Sequence, residues 1–320
     1  MNKRDFLKAF GLTLAIPAGG AFAQAAPSRP VRVIVPLPAG SSNDYVTRVL
    51  MPFVGNITGQ TYVVDNKAGG NGIIGTMDVV RAAPDGQTLM CGSLSPLAVN
   101  VALVKDLPYH PLRDLTPIAG TSMTNHVLMV KADSPIRTVA DFLAAARQRP
   151  GKFSIGYSTT TVQVQIATMN KLAGIQLLPV PYKGTPATLT DVIGGVLDAT
   201  LTDPGNALSQ VKGGNMRALG VTSLKRNPAT PDWPAIAETL PGFDFPSWNA
   251  IVGPAGMPRE LVERLSGATM QALKQKEVVD RYAANGTQPL VMGTAELKSY
   301  MEAEIAKWVR LAREANIQPA

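Results

Sequence analysis

The chain reads as an α/β protein with two sheet-containing units, and three observations predict this. Short β-branched runs alternate with helical segments from Val31 onward, Pro/Gly/Ser turns separate them, and the same alternation resumes after residue 125. Once a leader is removed, about 295 residues remain, enough for two domains of common size.

The first unit opens with Val31–Val35, whose β-branched side chains suit a strand buried on both faces. Tyr45–Phe53 follows as a helix, with Ser42 or Asn43 placed to cap a start at Asp44. Thr61–Asp65 is the second strand, Gly72–Ala82 a helix after a glycine-rich turn, and Thr88–Cys91 the third strand. Such alternation calls for a parallel sheet with crossover helices. In the second unit Val127–Val130 is a strand, and Val139–Arg147 is a helix whose Thr138 and Asp141 match a capping box. Phe153–Tyr157, Leu177–Val180, Ala199–Thr202 and Ala218–Thr222 are its other strands. Val162–Ala173 and Pro186–Ile193 are its other helices, the latter with Thr185 at its cap and Gly194 at its end. The Pro- and aromatic-rich stretch from Asn227 to Trp248 reads as a rigid connection wrapping the surface.

The tail adds a strand at Ala250–Val252, a helix at Pro258–Leu273 and a longer amphipathic helix at Thr294–Ala312. Leu297, Tyr300, Met301, Ile305, Trp308 and Val309 form one apolar stripe, which docks on its own chain or, alternatively, on a partner helix.

At the other end, Lys3, Arg4 and Lys8 precede the apolar run Ala9–Ile16, and Ala21-Phe22-Ala23 provides small residues for cleavage. Residues 1–25 therefore read as an export signal, cut after Ala23 or Ala25, and the periplasm is the expected compartment. Lys3-Arg4 matches a twin-arginine signal with its first Arg replaced, so twin-arginine and general secretion are both open. No Cys stands at the cleavage point to carry a lipid anchor, and the apolar run is too short to span a bilayer.

The net charge of +7 falls to about +5 without the leader. Basic residues are scattered, with no stripe interleaved with aromatics, which argues against nucleic-acid binding. Cys91, the only cysteine, lies in an apolar run and reads as a structural thiol.

Gly70-Asn71-Gly72-Ile73-Ile74-Gly75 matches the dinucleotide pattern G-x-G-x-x-G, but Met90-Cys91-Gly92-Ser93 stand where the ribose-binding acid belongs. These glycines then serve a tight turn and close helix packing. Gly156-Tyr157-Ser158-Thr159-Thr160 lacks the second Gly of a nucleophile elbow, and neither His110, in a loop, nor His126, before an apolar strand, is a convincing base. With no zinc or Walker pattern either, no cofactor and no metal are expected.

Two loops carry the remaining chemistry. Pro38, Ala39, Gly40, Ser41, Ser42 and Asn43 form a turn of mostly small residues between a strand and a helix start. Outward N–H groups and the positive helix end would hold a carboxylate there without a basic side chain. Ser158, Thr159, Thr160 and Thr161 repeat this logic after Tyr157. Facing each other, the two loops would form an anion cleft; the competing reading is a pair of ordinary caps, each satisfying its own backbone.

Further segments join these in a fixed order. Arg29-Pro30-Val31-Arg32-Val33-Ile34-Val35-Pro36 leads to Pro38-Ala39-Gly40 and Asp44, followed by Val63-Val64-Asp65-Asn66-Lys67-Ala68-Gly69-Gly70 and Ala83-Pro84-Asp85-Gly86-Gln87-Thr88-Leu89. Then come Leu107-Pro108-Tyr109, Val180-Pro181-Tyr182-Lys183-Gly184, Arg217-Ala218-Leu219-Gly220-Val221-Thr222-Ser223 and Gly253-Pro254-Ala255-Gly256. Across essentially the whole mature chain this resembles the extracytoplasmic receptors of tripartite tricarboxylate transporters, the Bug proteins.

The resemblance implies a type II periplasmic-binding-protein fold: two α/β domains, 26–125 with 250–320 and 126–249, crossing near Asn125-His126 and Asn249-Ala250, with a ligand cleft between them. It implies a monomeric solute receptor, not an enzyme, that closes over a small organic carboxylate and passes it to membrane transporter subunits. Aliphatic di- and tricarboxylates and aromatic acids such as terephthalate are the ligand classes. Ligand contacts would come from Pro38–Asn43 and Tyr157–Thr161, with Ser93, Ser95 and Asp203 on further loops, although Asp203 could equally start a turn at Pro204-Gly205. Ser41 replaces a Gly common in relatives, and Thr159-Thr160-Thr161 with Gln163 replaces a Gly/Ser-rich loop followed by His, so side-chain donors stand in for part of the backbone cradle. A ligand sensor for a signalling protein and an exported hydrolase using Ser158 are the alternatives.

Overall fold

The computed structural model describes residues 29–314 together with Ile317 and Pro319, so the export signal expected at 1–25 lies outside the described residues. Eleven described strands form two sheets. They are β1 (Val31–Val35), β2 (Tyr62–Asn66), β3 (Thr88–Ser93), β4 (Leu115–Thr124), β5 (Val127–Lys131) and β6 (Phe153–Tyr157). β7 (Leu177–Pro181), β8 (Ala199–Thr202), β9 (Met216–Val221), β10 (Ser247–Pro254) and β11 (Gln288–Pro289) complete the set. The first sheet has the order β11-β4-β10-β3-β1-β2 and the second β7-β6-β8-β5-β9.

Both sheets are mixed, a correction to the parallel reading. β1 pairs in parallel with β2 and β3, but β10 runs antiparallel between β3 and β4, and β5 runs antiparallel between β8 and β9. Strand direction depends on how the chain returns to a sheet, and composition does not encode that return. β4 was not foreseen, because its Pro, Gly, Ser and Thr residues show neither alternation nor a β-branched run. Its ladder with β10 supplies the order its propensity lacks.

The helices are α1 (Ser42–Thr58), α2 (Ile73–Val80), α3 (Asn100–Leu103), α4 (Pro111–Asp114), α5 (Val139–Gln148) and α6 (Thr160–Ala173). They continue with α7 (Thr185–Ile193), α8 (Pro204–Lys212), α9 (Arg259–Leu273), α10 (Lys276–Ala284) and α11 (Thr294–Glu314). The capping box expected at Thr138 and Asp141 is present. Three other starts shift: Ser41 caps α1, Thr159 caps α6, and Gly184 precedes α7, with Thr185 already helical. Asp203-Pro204-Gly205 starts a helix, α8, because Pro at the first position fits behind an Asp cap.

The glycine motif serves packing, as expected. Gly72 has φ of +87°, and a Cβ on Gly75 would meet the Lys67 carbonyl at 2.8 Å and Pro36 Cα at 3.1 Å, so α2 seats closely on the segments that leave β2 and β1. Cys91 is buried, and desolvation pushes its thiol up to about 11, as a structural cysteine requires. The stretch 227–248 is not a surface wrap: Ile236, Phe243, Phe245 and Trp248 are fully buried. α11 docks on its own chain, burying Leu297, Met301 and Trp308, with Trp308 5.7 Å from Phe245. No described helix is long and apolar enough to cross a membrane.

Candidate functional site

A cavity of about 80 Å³ lies between the two sheets. This is several times the roughly 10–15 Å³ that one water needs, so a small organic ligand fits. Four helices present their N-terminal ends to it: α1 through Ser42, α6 through Thr159 and Thr161, α7 through Thr185 and Pro186, and α8 through Asp203. Lys183 brings the one ammonium on this wall among the described residues. Helix ends and the ammonium favour an anion. Asp203 opposes them, and burial raises its carboxyl above the usual range while Asn206 donates to both its oxygens.

The first loop is held from its outer side. Ser41 N–H donates to the Pro38 carbonyl at 3.2 Å, and Gly40 at φ +79° closes a type II turn. Ser41 Oγ accepts from the Asp44 amide. Asp44 in turn accepts from the Gly40 amide at 3.0 Å, Arg48 Nε at 2.8 Å and Asn66 Nδ2 at 3.0 Å. The first-turn amides of Ser42 and Asn43 have no intrahelical acceptor. Asn43 Nδ2 donates to Asn249 Oδ1, and Asn249 Nδ2 to Ser122 Oγ, each at 2.8 Å, so this loop is fixed to β10 and β4.

The second loop divides its hydroxyls. Ser158 and Thr159 line the cavity. Thr160 Oγ1 donates to Asn100 Oδ1 at 2.8 Å, and Thr161 Oγ1 pairs with Ser95 Oγ at 2.8 Å, so both tie α6 to the segment after β3.

Of the residues expected at the site, Pro38, Ser41, Ser42, Asn43, Ser93, Ser95, Ser158, Thr159, Thr161 and Asp203 line this one cavity. Ala39, Gly40, Tyr157 and Thr160 do not. Ala39 and Gly40 are exposed, a Cβ on Gly40 would meet nothing within 4 Å, and its amide is committed to Asp44. The wall also includes His126, Lys183, Thr202, Ser247 and Asn249, none of which the sequence marks as a ligand contact; His126 is weighed there only as a catalytic base, and His126 and Asn249 only as marks of the chain crossings. The usable signal was position: ligand sites in α/β folds gather at strand ends and chain crossings, where these residues stand. The oxygens Ser42 Oγ, Ser93 Oγ and Thr202 Oγ1 are buried without a protein partner.

Burial pushes the His126 imidazole down to about 4 despite its contact with Gln165, so it is neutral near pH 7. The unfolded chain, with an ordinary value of about 6.5, then binds more protons between pH 6.5 and 4. Stability present above about pH 6.5 is therefore lost as the pH falls, by on the order of 2–3 kcal/mol, with the raised Asp203 offsetting part of it. His126→Gln is expected to flatten this limb in urea melts from pH 7 to 4.5. An unchanged slope would show that His126 is not the group responsible.

Two α/β units around a cavity walled by helix N-termini form the architecture of a two-lobed ligand-binding protein. Residues 46–317 match the model of the tripartite tricarboxylate transporter family receptor, and the chain belongs to that family. Protein BugT of Bordetella pertussis (strain Tohama I) is 31% identical over 320 residues, covering 98% of both chains. The solved structure of R. palustris Rpa4515 with adipate has a TM-score of 0.88 at 29% identity, covering 92% of this chain and 99% of that one. MatC (Rpa3494) from Rhodopseudomonas palustris with bound malate has a TM-score of 0.83 at 27% identity, covering 89% and 99%. The family and these neighbours are substrate-binding proteins.

Proposed function

We propose that this protein is a monomeric periplasmic receptor that closes over a small organic carboxylate and delivers it to a tripartite tricarboxylate transporter, without turnover. The observation that carries this reading is the cavity itself, where several helix N-termini and unpartnered hydroxyls converge with a single ammonium. The adipate and malate named with two neighbours support the ligand class. Ser41–Asn43 and Ser158–Thr159 hold the carboxylate, Ser93 and Asp203 complete the wall, and Pro38–Gly40 and Tyr157 shape the loops. Thr160, Thr161 and Ser95 fasten the two units in the closed form. The domains are 26–125 with 250–320 and 126–249, and the bulge between Asn249 and Ala250 in β10 supports a hinge at the return crossing.

A thermal-shift screen of mono-, di- and tricarboxylates, aromatic acids included, on the mature protein tests the ligand class. At about 100 times its dissociation constant, a ligand adds about 2.7 kcal/mol and raises the midpoint by several degrees. No shift with any acid overturns the ligand class, and ester or amide turnover would overturn the receptor reading. Deletion of the gene is expected to abolish uptake of the identified acid; unimpaired uptake would point to sensing instead.

A further inference from the structure

Two contacts join the two units beside the cavity, and each sets a proline of one on a glycine of the other. Pro38 lies in the loop after β1, in the first sheet, and Gly184 follows β7, in the second. A Cβ built on Gly184 would stand 2.9 Å from Pro38 Cγ, so the ring lies against the glycine. Gly184 has φ of −177° and ψ of 160°, an extended backbone that any residue adopts. Conformation does not demand glycine here; the ring does. The reverse contact sets Pro204, after β8, on Gly286, before β11. A Cβ on Gly286 would meet Pro204 Cβ at 2.6 Å, and the Gly286 carbonyl accepts from Asn227 Nδ2 at 2.7 Å, a buried bond from the segment after β9. Beside it, a Cβ on Gly205 would overlap the Asn285 carboxamide and stand 2.7 Å from its Cγ. Pro38 and Gly184 line the cavity, whereas Pro204 and Gly286 border it behind Asp203, the cap of α8.

We propose that these reciprocal proline-on-glycine contacts latch the two units together and set how long a bound acid stays, without choosing which acid binds. This rests on the receptor reading above. A missing Cβ lets a rigid ring approach the opposite backbone to full contact, and that packing is gained only while the units are together. Adding the Cβ overpacks the closed form alone, because in the open form neither glycine faces its proline. The closed population then falls, so a bound acid leaves faster while its encounter with the open form is unaltered.

Stopped-flow kinetics and calorimetric titration of the mature protein with malate, adipate and each further acid that binds the wild type test this. Gly184→Ala and Gly184→Ser are expected to raise the dissociation rate by about tenfold, by the same factor for every acid, with the association rate changed by less than about twofold. The serine variant separates latch from cap, since serine caps a helix at least as well as glycine. Pro38→Ala removes the Cγ that the new Cβ would strike, so adding it to Gly184→Ala should restore most of the lost affinity, which local damage at either site would not do. Gly286→Ala should raise dissociation in the same way. Gly256→Ala, at φ of +82° with nothing within 4 Å of its Cβ, carries the same backbone strain and should leave the kinetics unchanged. Unchanged dissociation in the variants of either glycine, losses that differ between acids by more than about threefold, or no recovery in the double variant would overturn the latches. If the wild type binds an acid and any of these outcomes appears, only this inference fails, whereas if it binds no carboxylate at all the receptor reading fails with it.

Discussion

Asn249→Asp is expected to abolish carboxylate binding while leaving the fold intact. The change is nearly isosteric, and the new side chain keeps an acceptor for Asn43 Nδ2 and another for the Ser122 hydroxyl, the two groups Asn249 now joins. It also sets a negative charge on the cavity wall. Two unit charges about 5 Å apart at an effective dielectric of 20 repel by about 3 kcal/mol, a loss of more than about 100-fold in affinity. Repulsion therefore outweighs anything the conserved shape retains. The comparison variant Asn249→Ala separates charge from structure. It leaves two buried polar groups unpartnered, so it should cost about 2–4 kcal/mol in urea melts while weakening binding less than the aspartate does. If titration shows Asn249→Asp binding the acid as well as the wild type, no carboxylate sits near β10.

Glu304→Ala is expected to be the most damaging single change to stability, at about 3–5 kcal/mol. Glu304 Oε2 accepts from two indole N–H groups, Trp248 at 3.1 Å on β10 and Trp308 at 3.0 Å on α11, and Oε1 is 3.3 Å from Lys307 Nζ. Both indoles are fully buried, so neither finds water when the carboxylate is removed. A hydrogen bond to a charged group contributes about 1.5–3 kcal/mol, and a buried donor left without an acceptor bears its full desolvation cost. Glu304→Gln keeps an acceptor oxygen and should lose less than half as much. Denaturant melts followed by tryptophan fluorescence measure both, since Trp248 and Trp308 are two of the three tryptophans. An alanine variant within 1 kcal/mol of the wild type would show that the indoles do not depend on this carboxylate.

Much of the framework was readable along the chain because its causes are local. Val31–Val35 needs only its β-branched run, Thr138 with Asp141 only each other, and Gly72 only its positive φ. The two donor loops were readable for the same reason: strand, small polar residues and helix start lie within a few positions. Their detail was not. Thr160 and Thr161 look identical to Thr159 in sequence, yet their hydroxyls are engaged by Asn100 and Ser95, more than fifty positions away.

Local composition by itself determined the alternating strands and helices, the donor-rich turns and the single structural thiol, since each follows from neighbours a few residues apart. Tertiary structure alone decided the antiparallel courses of β5 and β10, the burial of Phe243, Phe245 and Trp248, and the placing of His126 and Asn249 on the cavity wall. The physical reason is range: a ladder or a buried indole takes its energy from partners such as Glu304, and those pairs form only when the chain has folded.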